Sequence, residues 1–166
     1  MKKLAAITFV IFAAGVWVGG MESQSVTGVR GAMTKQPTTL GAFSVGLAVK
    51  DIKASRAFYE KLDFAVVMGD EAQKWLILRN GSVTIGLFQG VWERNVMTFN
   101  PGWDETAQAV GPFTDVREHQ RRLRSKGLKL TSEADEKATG PASFTLVDPD
   151  GNPVIVDQHV PSPRTK

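Results

Sequence analysis

The sequence predicts an α+β domain in which a β-α-β-β-β unit occurs twice. Apolar residues alternate with small or polar ones from 43 to 49, as expected of a strand with one buried face. Asp51 and Asp115 each precede an amphipathic stretch, and aspartate is a favoured first cap of a helix. Turn signals at Asn80-Gly81 and at 148–152 each separate two apolar segments, as in β-hairpins.

The first unit follows from these signals. Its first strand places one set of alternate residues on each face: Phe43, Val45, Leu47 and Val49 on one, and Ser44, Gly46 and Ala48 on the other. A helix is predicted from Ile52 to about Leu62. Three strands then follow, at 64–68, 74–79 and 83–88.

The second unit repeats this order more loosely. A strand at 95–99 leads through an irregular connection to a helix from Val116 to about Lys126, which Gly127 ends. A strand follows at 128–131. Finally, the segments at 143–147 and 153–156 form a closing hairpin around the Asp-Pro-Asp-Gly-Asn turn.

The amino-acid composition excludes several kinds of functional site. The chain has no Cys, which excludes disulfides, thiolate metal sites and a Cys nucleophile, and its two histidines exclude a His-rich metal site. Residues 42–160 carry 14 Lys and Arg against 16 Asp and Glu, a net charge of −2, whereas the whole chain is at +3. The basic excess therefore belongs to the tails, and no nucleic-acid partner is predicted.

The N-terminus predicts export. Two lysines precede an apolar run, so residues 1–20 are either a cleaved secretory signal or an uncleaved membrane anchor. Residues 21–41 are polar and aperiodic, as in a flexible linker, the domain spans 42–160, and 161–166 form a tail. The expected location is extracytoplasmic: periplasmic, secreted, or anchored through the N-terminal segment.

Three stretches carry a resemblance to a known family. "SVGLAVKDIKASRAFYEKLDF", "DVREHQRRLRSKGLKL" and "DPDGN" are similar to the first strand and helix, the second helix and the last turn of the vicinal oxygen chelate superfamily. That superfamily includes glyoxalase I, the bleomycin-resistance proteins and the extradiol dioxygenases. The resemblance covers about residues 43–160 and implies two βαβββ modules that form a curved mixed sheet.

The resemblance also implies where a metal would bind. In metal-dependent members four strands each supply one ligand, and these positions fall on Ser44, Gly86, Val96 and Ile155. None of the four offers the His nitrogen or carboxylate oxygen that a divalent ion needs. We therefore expect no metal and no cofactor. Asp157 and His159 follow on the same strand face, but two ligands are too few for a displaced site.

The favoured function is metal-independent binding of a small organic molecule in the cleft of the sheet, as the bleomycin-resistance proteins imply. No catalytic residue is assigned. The predicted ligand-binding residues are small or polar side chains of one sheet face and its strand ends: Ser44, Gly46, Thr84, Gly86, Phe88, Thr98, Asn100, Asp157 and His159. The resemblance also implies a homodimer.

Other interpretations stay open at this point. Gly46 and Gly86 also suit close packing. Trp75, Trp92 and Trp103 are the aromatic candidates for lining the cleft, but they also suit the core or a dimer contact. One alternative function is a lyase or dioxygenase with a metal site rearranged around Asp157 and His159. Another is a non-catalytic dimerisation module at the membrane.

Overall fold

The computed structural model describes residues 39–163. The predicted signal or anchor at 1–20 and nearly all of the predicted linker lie outside the described residues. The last three residues of the tail, 164–166, also lie outside them.

The described chain confirms the predicted order of elements. The first module consists of β1 (Ala42–Val49), α1 (Ile52–Glu60), β2 (Ala65–Asp70), β3 (Trp75–Asn80) and β4 (Val83–Gln89). The second module consists of β5 (Val96–Asn100), α2 (Val116–Ser125), β6 (Leu130–Ser132), β7 (Ala142–Val147) and β8 (Pro153–Gln158). Each module is therefore a β-α-β-β-β unit.

All the strands join one curved mixed sheet of eight strands, in the order β2-β3-β4-β1-β5-β8-β7-β6. Within each module the first strand runs parallel to the fourth, as β1 does to β4 and β5 to β8. The modules meet through the antiparallel pair of β1 and β5. Their first strands thus lie side by side at the centre of the sheet.

Aspartate side chains begin both helices, as predicted. Asp51 accepts hydrogen bonds from the backbone N–H groups of Lys53 and Ala54, at 2.9 and 3.1 Å. Asp115 accepts one from the N–H of Arg117 at 2.9 Å. These bonds satisfy donors that a helix leaves free in its first turn.

The helices cover one face of the sheet. α1 contributes Ile52 to an apolar cluster with Leu76, Leu78, Ile85 and Leu87. α2 contributes Val116 to a second cluster, which also contains Ala134, Phe144 and Val156 and is flanked by Phe99. Since Phe43 pairs with Phe99 across β1 and β5, both clusters lie on the same side. The opposite side is called the helix-free face below.

The turns differ in one detail from the prediction. The backbone N–H groups of Asp150 and Asn152 donate to the Asp148 carboxylate at 2.9 and 2.8 Å, so this aspartate builds the closing turn. In the hairpin of β3 and β4, however, Asn80 pairs with Val83. The two loop residues are therefore Gly81 and Ser82, one position later than the Asn-Gly signal indicated.

Candidate ligand-binding face

The helix-free face follows from strand register. Ser44 pairs with Thr98, and Thr98 pairs in turn with Ile155, so all three side chains emerge on one side of the sheet. Gly46 pairs with Gly86 on one flank and with Val96 on the other. These residues alternate with the core residues of the helix-covered face.

The four positions implied by the resemblance therefore lie together. Ser44, Gly86, Val96 and Ile155 sit on β1, β4, β5 and β8, which are the four central strands of the sheet. Together they present a single hydroxyl as the one polar side-chain group. Within residues 39–163, no three His, Asp or Glu side chains are close enough to hold a metal ion.

Aromatic rings occupy the end of this face where β1 and β4 finish. A Cβ atom added to Gly46 would lie 2.2 Å from the Trp92 ring, and one added to Gly86 would lie 2.4 Å from the Phe88 ring. The two rings contact each other, with centroids 4.1 Å apart. Trp75 is the cross-strand partner of Phe88. We call Trp75, Phe88 and Trp92 the aromatic end; its rings require the two glycines.

Hydroxyl side chains cross the middle of the face. Thr98 lies beside Ser44, and the pairing of Val45 with Ile85 places Thr84 on the other side of Ser44. Thr145 pairs with Ile155 and so continues the row across β7. All four hydroxyl residues are half-buried. Thr84 Oγ1 accepts from Arg79 Nε at 3.4 Å, and Thr145 Oγ1 lies 2.7 Å from the hydroxyls of Thr131 and Ser132. The hydroxyls of Ser44 and Thr98 are therefore the two best placed to bond a bound molecule.

A carboxylate and a histidine occupy the opposite end. Asp157 Oδ2 lies 3.3 Å from His159 Nε2, and the imidazole stacks on Trp103 with centroids 4.3 Å apart and planes at 18°. Burial raises the pKa of the Asp157 carboxyl, and the nearby His159 opposes that rise. Ser143 faces Asp157 across the hairpin. We call Trp103, Ser143, Asp157 and His159 the acidic end.

Some of the predicted ligand-binding residues are accessible in the structure, and others are buried. Ser44, Thr84, Thr98, Asp157 and His159 are partly accessible on or next to the helix-free face. Asn100 is instead buried and donates from Nδ2 to the carbonyl of Ala42 at 3.2 Å, a bond that ties β5 to β1. Gly46 and Gly86 lie beneath rings of the aromatic end. Phe88, whose ring covers Gly86, is also buried. These four residues therefore support the face from within.

Some site residues are absent from the prediction. Ser143 and Thr145 lie on the helix-free face because they pair with Asp157 and Ile155. Alternation along the closing hairpin is the signal that could have found them. Trp92 and Trp103 are aromatic candidates from the sequence, but no signal in it indicates which rings they contact, because both residues lie outside the named strands.

Buried polar groups of α2 belong to the fold. His119 is fully buried, and Arg122 Nη2 lies 3.0 Å from its Nδ1. Burial and the charge of Arg122 lower the pKa of His119 to about 4, although Asp115 acts in the opposite direction. This imidazole is neutral at physiological pH and is part of the interior beneath α2.

Comparison with known proteins agrees with this architecture. The Glyoxalase/Bleomycin resistance protein/Dioxygenase superfamily profile matches residues 41–156, which is most of the chain. The chain belongs to this superfamily. A bleomycin resistance protein from Klebsiella pneumoniae is 29% identical over 115 residues, covering 63% of this chain and 82% of that protein.

Two solved structures show the same fold. One is a Legionella pneumophila protein described as an NAD-dependent benzaldehyde dehydrogenase, with a TM-score of 0.52, 18% identity, and coverage of 70% of this chain and 98% of that one. The other is a superfamily member from Vibrio splendidus 12B01, with a TM-score of 0.50, 17% identity, and coverage of 70% and 97%. At these identities the likeness concerns the fold alone.

The described helices bear on one further prediction. Neither α1 nor α2 has the length and apolar character needed to cross a membrane, and they are the helices of residues 39–163. The predicted anchor at 1–20 lies outside these residues.

Proposed function

We propose that this superfamily domain binds a small organic molecule on its helix-free face without using a metal ion. The observation that carries the proposal is the chemistry of Ser44, Gly86, Val96 and Ile155, which share that face and supply no carboxylate or imidazole. A divalent ion held there would have to rely on a single hydroxyl, which is a poor ligand for Zn²⁺, Mn²⁺ or Fe²⁺.

The rest of the face supports binding of an organic ligand. The half-buried rings of Trp75 and Trp92 offer apolar contact, and the hydroxyls of Ser44 and Thr98 offer hydrogen bonds in both directions. Asp157 adds a carboxylate at the opposite end. Apolar surface with a few separated polar groups is the usual composition of a small-molecule site.

The rings that cover the two glycines of the face limit where such a ligand can lie. Because Trp92 and Phe88 already cover Gly46 and Gly86, the space above these two residues is filled by the protein itself. The ligand therefore lies along the hydroxyl row and against the outer surfaces of the rings. The similarity to a bleomycin resistance protein is consistent with this role.

The setting of the domain is part of the same proposal. Residues 1–20 direct the domain out of the cytoplasm, either as a cleaved signal or as an anchor. A homodimer would bring the helix-free faces of two copies into one assembly. Sedimentation of the purified chain checks the dimer, and N-terminal sequencing of the exported protein checks cleavage.

Thermal melting tests the binding proposal. Full-length protein is melted before and after treatment with a chelator, then with Ni²⁺, Zn²⁺, Mn²⁺ or Fe²⁺, and then with a panel of small organic molecules. We expect an organic compound to raise the midpoint and the chelator and metals to leave it unchanged. At a hundredfold excess over Kd, a bound ligand adds about 2.7 kcal/mol of stability.

Matched variants locate the bound compound. Thr98→Ile removes a hydroxyl from the helix-free face and narrows it, whereas Met97→Leu changes the adjacent residue on the opposite face. The first substitution should abolish the ligand-dependent rise, and the second should preserve it. Loss of the rise in both variants, or in neither, would contradict binding on this face.

A second candidate function is metal-dependent lyase or dioxygenase chemistry with a rearranged site. The contact between Asp157 and His159 favours it, because these are the two metal-ligating side chain types at one end of the face. A midpoint raised by one metal and lowered by the chelator would support this candidate over the first.

A third candidate, a dimerisation module at the membrane, gains support if neither metals nor organic compounds have an effect while the chain remains dimeric.

A further inference from the structure

An open groove of about 470 Å³ adjoins the aromatic end, where β1 and β4 finish. Its lining includes Ala48, Gln89, Trp92, Lys50, Lys74 and Glu93. The volume lies in the range of small-molecule sites, roughly 300–1,000 Å³. Since Ala48 and Trp92 also belong to the helix-free face, the groove continues that face at its rim.

Trp92 forms a fixed aromatic wall. Its ring rests on the bare backbone of Gly46 and against Phe88, so two contacts hold its orientation. The residue is nevertheless only half-buried, which leaves part of the ring available to a flat molecule. Stacking of two aromatic systems is favourable beyond the apolar area that it buries.

The charges around the groove favour an anion. Lys50 and Lys74 are exposed and line it together with one acidic residue, Glu93. In the described part of the chain, neither lysine forms an ion pair with a carboxylate. Both ammonium groups are therefore available to an anionic ligand.

The backbone holds Lys74 at the groove in an unfavourable conformation. Its φ is +65°, in the left-handed region that a lysine rarely adopts. The carbonyl of Lys74 accepts a hydrogen bond from the N–H of Gln89 at 2.9 Å, and its own N–H donates to the carbonyl of Glu71 at 3.1 Å. Residues held in this region cluster at active sites and ligand clamps.

We infer that this groove binds planar organic anions, of the aromatic carboxylate class, between Trp92 and the ammonium groups of Lys50 and Lys74. The inference rests on the proposed function, because it names the ligand class and the end of the face that receives it. The flat ring of the ligand stacks on Trp92. Its carboxylate lies at the rim, where it pairs with the lysines and remains partly hydrated.

Calorimetric titration of the full-length chain tests the inference with a charged and an uncharged probe. The probes are 2-naphthoate and 2-naphthamide, which have the same ring system. We expect 2-naphthoate to bind roughly fivefold to tenfold more tightly, the gain expected from exposed ion pairs. Equal affinities, or no binding of 2-naphthoate at millimolar concentration, would overturn the inference.

Three variants separate the contributions. Trp92→Leu should weaken both probes, by about tenfold, because it removes the stacking surface. Lys74→Gly keeps the left-handed conformation accessible and should weaken 2-naphthoate alone. Lys53→Gln, which removes an exposed lysine of α1 outside the groove lining, should change neither affinity. Equal effects of Lys74→Gly and Lys53→Gln would also overturn the inference.

A failure of the inference can be told apart from a failure of the proposed function. Suppose that 2-naphthoate binding is insensitive to Trp92→Leu and Lys74→Gly but is lost in Thr98→Ile. The helix-free face would then bind organic molecules, and the groove would have no part in it. A chain stabilised by a divalent metal would instead contradict the proposed function directly.

Discussion

The two modules fasten helix to sheet in the same way. In the first, the backbone N–H of Ile52 donates to the side-chain oxygen of Gln89 at 3.0 Å. In the second, the N–H of Val116 donates to the side-chain oxygen of Gln158 at 2.8 Å. Each glutamine ends the fourth strand of its module, and each helix begins at the residue after a capping aspartate. This hydrogen bond between the start of the helix and the end of the fourth strand is thus a property of the βαβββ unit.

Their interiors differ. Among the described residues, every buried polar or charged side chain belongs to the second module: Asn100, Thr114, Arg117, His119, Gln120 and Gln158. The first module is filled by Ile52, Leu76, Leu78, Ile85 and Leu87. One backbone plan therefore accepts an apolar interior alone, or an apolar cluster accompanied by a bonded polar network. Within the polar network each buried polar group needs a hydrogen-bond partner. Single substitutions there should therefore lower the free energy of unfolding by more than those in the first module.

The helix-free faces differ in the same sense. The first module contributes rings, glycines and the hydroxyls of Ser44 and Thr84, whereas the second contributes Ser143, Thr145, Asp157 and His159. A ligand on this face thus meets aromatic rings where β1 and β4 finish and a carboxylate at the opposite end. Hydroxyl groups from both modules lie between them.

The largest expected effect is at the arginine within the polar network. Arg117 is buried and donates to the carbonyls of Asp135 and Gly140 at 2.8 and 3.2 Å, and to the Asp115 carboxylate at 3.3 Å. Arg117→Met should lower the free energy of unfolding by about 3–5 kcal/mol, because these acceptors lose their donor. Urea denaturation measures the change.

Arg56→Met is the control in the first module. Arg56 pairs with Glu60 and Glu71 at the protein surface, so its loss should lower the free energy of unfolding by only about 0.5 kcal/mol. Equal costs for the two arginine substitutions would show that burial does not distinguish the modules.

His119 should make the second module sensitive to acid. Its pKa of about 4 lies below the unfolded value of about 6.5, so between these values the unfolded chain takes up a proton that the folded chain does not. Stability should fall by about 3 kcal/mol from pH 6.5 to pH 4, with no further loss from this group below that.

His119→Gln supplies the comparison for acid sensitivity. Glutamine can accept from Arg122 but does not titrate, so this part of the pH dependence should disappear. Urea midpoints at several pH values for both proteins give the difference. Parallel curves for the two proteins would contradict the assignment.

The glutamine that accepts a hydrogen bond from the helix start in each module allows a paired test, with an intermediate expected loss of stability. Gln158 is fully buried, and its amide also donates to the Asp115 carboxylate at 3.2 Å and the Val160 carbonyl at 3.1 Å. Gln158→Leu should therefore cost about 2 kcal/mol, while Gln89→Leu, in a half-buried position, should cost about 1 kcal/mol. Chemical denaturation of both variants checks the order; the reverse order would argue against the role assigned to burial.

The smallest effect is expected at the aromatic end. In Gly46→Ala the new methyl group would meet the Trp92 ring at 2.2 Å, so the ring must move, at a cost of about 1 kcal/mol. In a Trp92→Leu background the same change should be neutral or stabilising, because alanine suits a strand better than glycine. If the cost persists in that background, Trp92 is not the cause.

Much of the fold was readable from the sequence because its signals are local. Asp51 and Asp115 mark both helix starts, and Asp148 with Gly151 marks the closing turn, where Gly151 has a φ of +86°. Each of these depends on bonds within a few residues. Strand ends were shifted by one or two residues, since they depend on partners distant in the chain.

The candidate site was readable only in part. Alternation along β1 and β8 placed Ser44, Ile155 and Asp157 on one face, since that period holds within a strand. The ring contacts of Trp92 and Trp103 depend on connections outside the strands, where no period applies. The burial of Asn100 follows from its bond to Ala42, a contact between residues that are 58 positions apart.

Amide chemical-shift mapping can show both where an organic compound binds and whether its binding needs a metal. The full-length chain is treated with a chelator and titrated with an organic compound that raises its melting midpoint, and spectra are recorded before and after addition of Zn²⁺. If binding on the helix-free face is independent of metal, the amide signals of Ser44, Gly46 and Thr98 should shift in the presence of the chelator. The amide signals of α1 and α2 should not change. Shifts that require the metal, or that cluster on the helices, would contradict the account.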